Sequence, residues 1–163
     1  MHAIDRARPD EAAALHDLQQ RAFAEEGRRC GTTDIPPLTE TAAAIGEHIA
    51  TRTALVVRHE GRVVGAIRGL CDDGVCTIRA LVVDPAWQGR GVGSALLRAL
   101  EAAHTEARRF ELTTNTLMEG NVPFYERHGY TVRERVLHSP WIMLAIMGKA
   151  GTSATPGPAP GRA

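Results

Sequence analysis

The strongest constraint on this chain lies between Thr77 and His104, which read as a β-type apolar run, a glycine-rich turn and an amphipathic helix. The turn, Gln88-Gly89-Arg90-Gly91-Val92-Gly93-Ser94, places glycine at every second position just before the helix. Such a turn can lay several backbone N–H groups around an anion, and the helix N-terminus adds about half a positive charge at the same point. The expected guest is a phosphate group.

Spacing separates the known phosphate turns. A P-loop needs a Lys after its second glycine, and the turn has none. A dinucleotide turn needs Gly-x-Gly-x-x-Gly, and no glycine falls at the last position from either start. The pattern that fits is Gln/Arg-x-x-Gly-x-Gly/Ala, met by Gln88, Gly91 and Gly93. A second signature follows: a strand-like Arg109–Asn115, then Asn121-Val122-Pro123-Phe124-Tyr125, closing on Gly129-Tyr130. Pro123 suits a first helical turn and Gly129 a helix C′ position. In these two motifs and their order the chain resembles the GNAT N-acetyltransferase superfamily, over nearly all of residues 1–148.

Coarse periodicity gives the rest. Ala3–Ala7 reads as a strand, and Pro9-Asp10-Glu11 opens a helix with Ala14, Leu15, Leu18 and Ala22 on one face. Residues 25–38 read as a loop, broken by glycines and by Pro36-Pro37, and a second helix starts at Thr39 and reaches about Ala50. Strands at 54–58, 62–70 and 75–83 are joined at Glu60-Gly61 and Asp72-Asp73-Gly74. The order β-α-α-β-β-β-α-β-α-β-β is the family's. It predicts one α/β (α+β) domain over residues 1–148, a mixed central sheet of about six to seven strands with helices on both faces. Residues 149–163, rich in Gly, Pro and Ala, read as a disordered tail.

Composition excludes several classes. A formal net charge of zero gives no broad attraction to nucleic acid or an anionic membrane. No signal peptide opens the chain and no stretch is long enough to span a bilayer, so the expected compartment is the cytoplasm. Cys30, Cys71 and Cys76 form no Cys-x-x-Cys pair. Cys71 and Cys76 could face each other across a hairpin, but reduced thiols are the expected state. None of the seven histidines has ligand spacing, His104 reads as a solvated helix residue, and no metal is expected.

The resemblance implies acetyl-coenzyme A as acyl donor and an N-acetyltransferase activity. Gln88, Gly89, Arg90, Gly91, Val92, Gly93 and Ser94 would hold the pyrophosphate. Arg90 is either an added charge contact or a solvated surface residue. The edge of the fourth strand at Leu81, Val82 and Val83 would pair with the pantetheine arm, one N–H there serving the thioester carbonyl. Tyr125 would be the general acid, a phenol protonated at neutral pH. Asn121 is either a pantetheine contact or a helix N-cap, and Arg127 a weaker candidate for the outer phosphate. The base is open: Arg79 stands near where many members carry Glu, which leaves Glu25, Glu26 or water alone. Arg68 and Arg79 are either surface residues or contacts to an acidic acceptor. The implied acceptor is the primary amine of a small molecule, such as an amino acid, polyamine or aminoglycoside-like amine. The alternatives are a protein N-terminus or lysine, or a non-catalytic acyl-coenzyme A or partner-binding module. Free strand edges leave room for a homodimer.

Overall fold

The computed structural model describes residues 2–153. Seven strands form one sheet in the order β1-β2-β3-β4-β5-β7-β6. They are β1 (Ile4–Arg6), β2 (Thr53–His59), β3 (Arg62–Asp72), β4 (Val75–Val83), β5 (Arg109–Asn115), β6 (Thr131–Ser139) and β7 (Ile142–Ala150). Every neighbouring pair is antiparallel except β4 and β5, which run parallel. The two tight hairpins follow from Glu60-Gly61 and Asp73-Gly74, where all four residues take positive φ. Turns of that hand match the twist of the strands they join.

One face of the sheet carries α4 (Val92–Ala103), whose Val92, Leu96, Leu97 and Leu100 enter the larger core with Ile67, Cys76, Ile78 and Phe110. The helix lies close because β3 has glycines beneath it. A Cβ at Gly65 would meet Val92 Cγ1 at 2.6 Å, and one at Gly69 would meet Leu100 at 3.0 Å. The other face carries α1 (Ala12–Cys30) and α3 (Ala42–Thr51), whose Leu15, Leu18 and Ile45 pack on Val56, Ala66 and Val82.

α1 is longer than its sequence pattern indicates: residues 25–30, read as loop, are its last turns. Gly27 does not break it, because the glycine is a contact point; a Cβ there would meet Leu38 Cδ1 at 2.7 Å. Glu25 braces the same turns through Arg28 and Arg29, and the helix stops at Gly31 in the left-handed region, φ 68°. A single helical turn, α2 (Pro36–Thr39), lies at the end of the expected loop, and the second expected helix starts three residues later than Thr39, as α3, capped by Thr41, whose side chain accepts from the Ala44 N–H. The expected tail boundary also moves, since β7 continues to Ala150 and the Gly151 N–H bonds Arg108 O. Residues 154–163 of that tail lie outside the described residues.

Two further expectations are overturned. Cys71 and Cys76 are directly opposed across the β3–β4 hairpin, with Cα atoms 3.9 Å apart, and are joined as a disulfide rather than held as thiols. The spacing of the Asp-Gly turn brings them face to face. His104 is not solvated: at the end of α4 its side chain is 14% exposed and bonded to Thr53 Oγ1 at 2.8 Å and to Glu106 at 3.1 Å. It approaches both sulfurs, which are already engaged with each other. Among the described residues no helix is long and apolar enough to cross a membrane.

A buried ion pair locks α1 and α3 to the sheet. Arg68 on β3, 3% exposed, donates to both carboxylate oxygens of Glu40 and to Gln19 Oε1, and lies 2.8 Å from His48 Nδ1. Burial alone would raise the Glu40 pKa, but the bonds from Arg68 and Gln19 outweigh it and hold the carboxyl down at about 2. A depressed carboxylate contributes stability above its ordinary pKa of 4.5 that is lost as pH falls toward 2. Glu40→Gln should therefore cost about 3–5 kcal/mol in urea unfolding at neutral pH, because it strands a buried guanidinium. That deficit should shrink steadily as the unfolding series is repeated from pH 5 downward.

Candidate active site

The site begins where two strands part. β4 and β5 pair at only three positions, Val75↔Arg109, Cys76↔Phe110 and Thr77↔Glu111. Beyond them Leu112–Asn115 stay paired with β7, while Ile78–Val83 stay paired with β3 apart from one irregularity. The facing edges of β4 and β5 are thus left without strand partners, and the sheet opens as a fork. Unpaired N–H and C=O groups inside a sheet invite an extended ligand to complete the ladder.

The irregularity is a bulge. Arg68 pairs with Arg79 and Ala66 with Val82, so Ala80 and Leu81 together oppose Ile67, and Ala80 takes φ +48°. The extra residue reverses the alternation of the strand. Before it, Cys76 and Ile78 face the core under α4; after it, Leu81 and Val83 face that side and Val82 turns to α1 and α3. The three residues expected to line the donor, Leu81, Val82 and Val83, all lie on the open limb of the fork.

The glycine turn sits at the mouth of the same limb. It follows a single turn at Pro85–Trp87, capped by Asp84, whose carboxylate accepts from the Ala86 N–H and from Arg21. Gly89 (φ 74°) and Gly91 (φ 78°) both take the left-handed conformation, and nothing lies within 4 Å of where either Cβ would be. Backbone geometry, rather than crowding, requires glycine there. Gly93 lies over Val83 and Phe124 at ordinary contact distance. Gln88 through Gly91 are exposed, Val92 anchors the turn in the core, and Ser94 Oγ lies 2.9 Å from His128 Nε2. The Arg90 side chain is neither free nor aimed into the turn: its guanidinium stacks 4.8 Å above the Trp87 ring.

α5 (Asn121–Arg127) forms the far wall. Its N-cap is Gly120, not Asn121, which is the first helical residue and reaches the Asn115 carbonyl at 3.4 Å. Tyr125 is partly buried, edge-on to Phe124 at 5.1 Å and to Tyr130 at 5.9 Å. Its hydroxyl makes no hydrogen bond among the described residues. Loss of solvation, reinforced by the negative charge of Glu26, pushes its pKa up to about 12. Arg127 is exposed on the outer side of this helix.

Two adjacent glutamates on α1 have opposite fates. Glu25 accepts from Arg28 and Arg29, which hold it down at about 2. Glu26 is half-buried and accepts a single hydrogen bond, from Asn115 Nδ2 at 3.0 Å; desolvation outweighs that bond and raises its pKa. A carboxylate with a raised pKa in electrostatic reach of a protonated phenol is an acid–base pair set apart by environment. Asn115 was missed from the sequence. It is 5% exposed at the C-terminal end of β5, bonds Cys30 Sγ as well as Glu26, and accepts from the Leu117 N–H. Its place at a strand end beside a gap in the sheet is the signal that could have found it.

A forked sheet, a glycine turn at its mouth and a carboxylate–phenol pair across it are the features that a comparison with known proteins has to account for. The family profile described as acetyltransferase (GNAT) domain matches residues 50–132, and the chain belongs to this family. An uncharacterised N-acetyltransferase of Methanocaldococcus jannaschii is 39% identical over 64 residues, 38% of this chain but only 28% of that protein. The ribosomal-protein-S18-alanine N-acetyltransferase of Escherichia coli shares the fold at TM-score 0.79 and 16% identity, over 96% of this chain and 97% of its own. The PaiA N-acetyltransferase of Thermoplasma acidophilum, solved with coenzyme A, does so at TM-score 0.74 and 15% identity, over 92% and 99%.

If the glycine turn holds the pyrophosphate, Gly91→Glu should abolish binding of coenzyme A in titration calorimetry, since it sets a carboxylate there and strains a left-handed position. Gly91→Ala should weaken binding and cost about 1 kcal/mol of stability through the backbone alone.

Proposed function

We propose that this chain is an acetyl-coenzyme A-dependent N-acetyltransferase that moves the acetyl group to the primary amine of a small molecule by direct attack on the thioester. The observation that carries this reading is the open β4 edge running from the three-pair contact with β5 straight to the glycine turn. A pyrophosphate on the N–H groups of Gln88–Ser94 would leave the pantetheine arm to lie along Leu81–Val83. One N–H of that stretch would donate to the thioester oxygen as charge develops on it, at a geometry the bulge at Ala80 sets. Asn121 would bond the arm. Its one side-chain hydrogen bond among the described residues, to the Asn115 carbonyl, is long.

The chemistry asks for two proton movements. The attacking amine must be neutral and must shed a proton as the C–N bond forms; the C–S bond then breaks and coenzyme A leaves as a thiolate that needs a proton. Glu26 suits the first task, because its raised pKa makes it a stronger base than an exposed carboxylate, and Asn115 fixes its position. Glu25, held at about 2 by two arginines, does not. Tyr125 suits the second: a phenol pushed up to about 12 stays protonated at neutral pH and donates to the departing sulfur.

Acetyl-coenzyme A at about a hundred times its dissociation constant should stabilise the protein by roughly 2.7 kcal/mol in thermal unfolding. No shift at millimolar ligand overturns the donor assignment. Tyr125→Phe should leave that shift intact and lower kcat by about 10²–10⁴-fold, the usual worth of a general acid; unchanged turnover removes Tyr125 from the role.

For Glu26 the active form is the deprotonated one, so kcat should fall as pH drops through its raised pKa. In Glu26→Gln that acid limb should vanish from the pH–rate profile together with most of the rate. An acid limb that survives the substitution assigns it to another group.

A further inference from the structure

Arg68 and Arg79, indistinguishable as acceptor contacts in the sequence, separate in the structure. They are opposed in register on β3 and β4 and point to the same side of the sheet, the one that carries α1 and α3. Arg68 is spent, its guanidinium buried against Glu40 and Gln19. Arg79 is exposed, and among the described residues it has no ion pair and no side-chain hydrogen bond. Arg68 is matched by Glu40, which leaves Arg79 as the member of this cross-strand pair whose charge the fold does not use.

The place of that charge is informative. Arg79 is the last residue before the bulge at Ala80, and the β4 edge beside it has already lost its β5 partner. It projects to the side of the sheet from which α1 delivers Glu26. Arg52, Arg68 and Arg79 all bear on His48, whose pKa is lowered first by burial and then by these charges, and Glu40 is the one carboxylate acting against them. Neither Arg52 nor Arg79 has an ion pair among the described residues, so the surroundings of Arg79 carry unmatched positive charge. A plain diamine or polyamine, carrying only ammonium groups, is repelled by such a field. An amine that also bears an anion is drawn in, and its ammonium loses a proton more readily there.

We propose that Arg79 is a specificity residue that binds a carboxylate on the acceptor, so that the substrates of this site are amino-carboxylic acids rather than simple amines. This rests on the acyl-transfer reading above. The guanidinium would form charge-assisted hydrogen bonds to both carboxylate oxygens while the amine of the same molecule faces Leu81 and Glu26.

The test is thiol release from acetyl-coenzyme A by the full chain with matched amines: L-phenylalanine against 2-phenylethylamine, L-lysine against 1,5-diaminopentane, and O-phosphoethanolamine against ethanolamine. The carboxylate member of a pair should exceed its partner in kcat/KM by at least about tenfold, the scale of one charge-assisted contact. Arg79→Gln should erase that advantage through KM of the acceptor rather than kcat, and Arg79→Lys should restore part of it. The KM for acetyl-coenzyme A and the melting temperature should not suffer, since the Arg79 side chain makes no bond within the fold among the described residues. Equal handling of pair members, a preference confined to O-phosphoethanolamine, or an undiminished advantage in Arg79→Gln each overturns the assignment. So does the absence of thiol release with every carboxylate amine while acetyl-coenzyme A still raises the melting temperature. If acetyl-coenzyme A gives no such rise, it is the donor reading that fails.

Discussion

Everything at this site depends on the hydrogen-bond ladder between β4 and β5 stopping after three residue pairs. A sheet interior is a place where backbone donors and acceptors are expected to be satisfied, and here a run of them is withheld from strand pairing in the centre of a seven-stranded sheet. The other devices follow from that one gap. The bulge at Ala80 turns the open limb so that its side chains still pack on both cores. Gly65 and Gly69 let α4 settle low on β3, which brings the glycine turn to the end of the limb. α5 closes the opposite wall with Tyr125.

Charge is distributed along the same lines. The pair of buried Arg68 and half-buried Glu40 is a structural tie between helices and sheet. Glu25 and Glu26, one residue apart on α1, show how little distance separates two protonation behaviours. One lies in water between two arginines; the other turns inward toward Asn115, where solvation is lost. The α-helical repeat of about 3.6 residues per turn puts neighbouring residues about 100° apart, enough to send one to solvent and the other into the fork.

Much of this was legible in the sequence because it is written in local chemistry. The glycine turn, the hairpins at Glu60-Gly61 and Asp73-Gly74, and the short helix ending at Gly129 are each specified by a few adjacent residues whose φ angles demand glycine or tolerate little else. What was not legible depends on partners distant in the chain. Gly27 reads as a helix breaker until Leu38 is seen against it. Arg68 reads as a surface charge until Gln19 and Glu40, 49 and 28 residues away, close around it. Glu26, one of two candidate bases in the sequence, separates from Glu25 only through Asn115, 89 residues on. The fork itself has no residue signature, because it consists of bonds that are not made.

The disulfide between Cys71 and Cys76 acquires a mechanical meaning from its position. Cys76 is the middle of the three β4 residues that hold β5, and through Cys71 it is fastened covalently to β3. The covalent tie thus sits at the point where β4 and β5 part, like a rivet at the stem of a tuning fork. Beyond it each limb is held by its outer neighbour alone, β4 by β3 and β5 by β7, so the width of the gap is set from the two sides and its origin by the rivet.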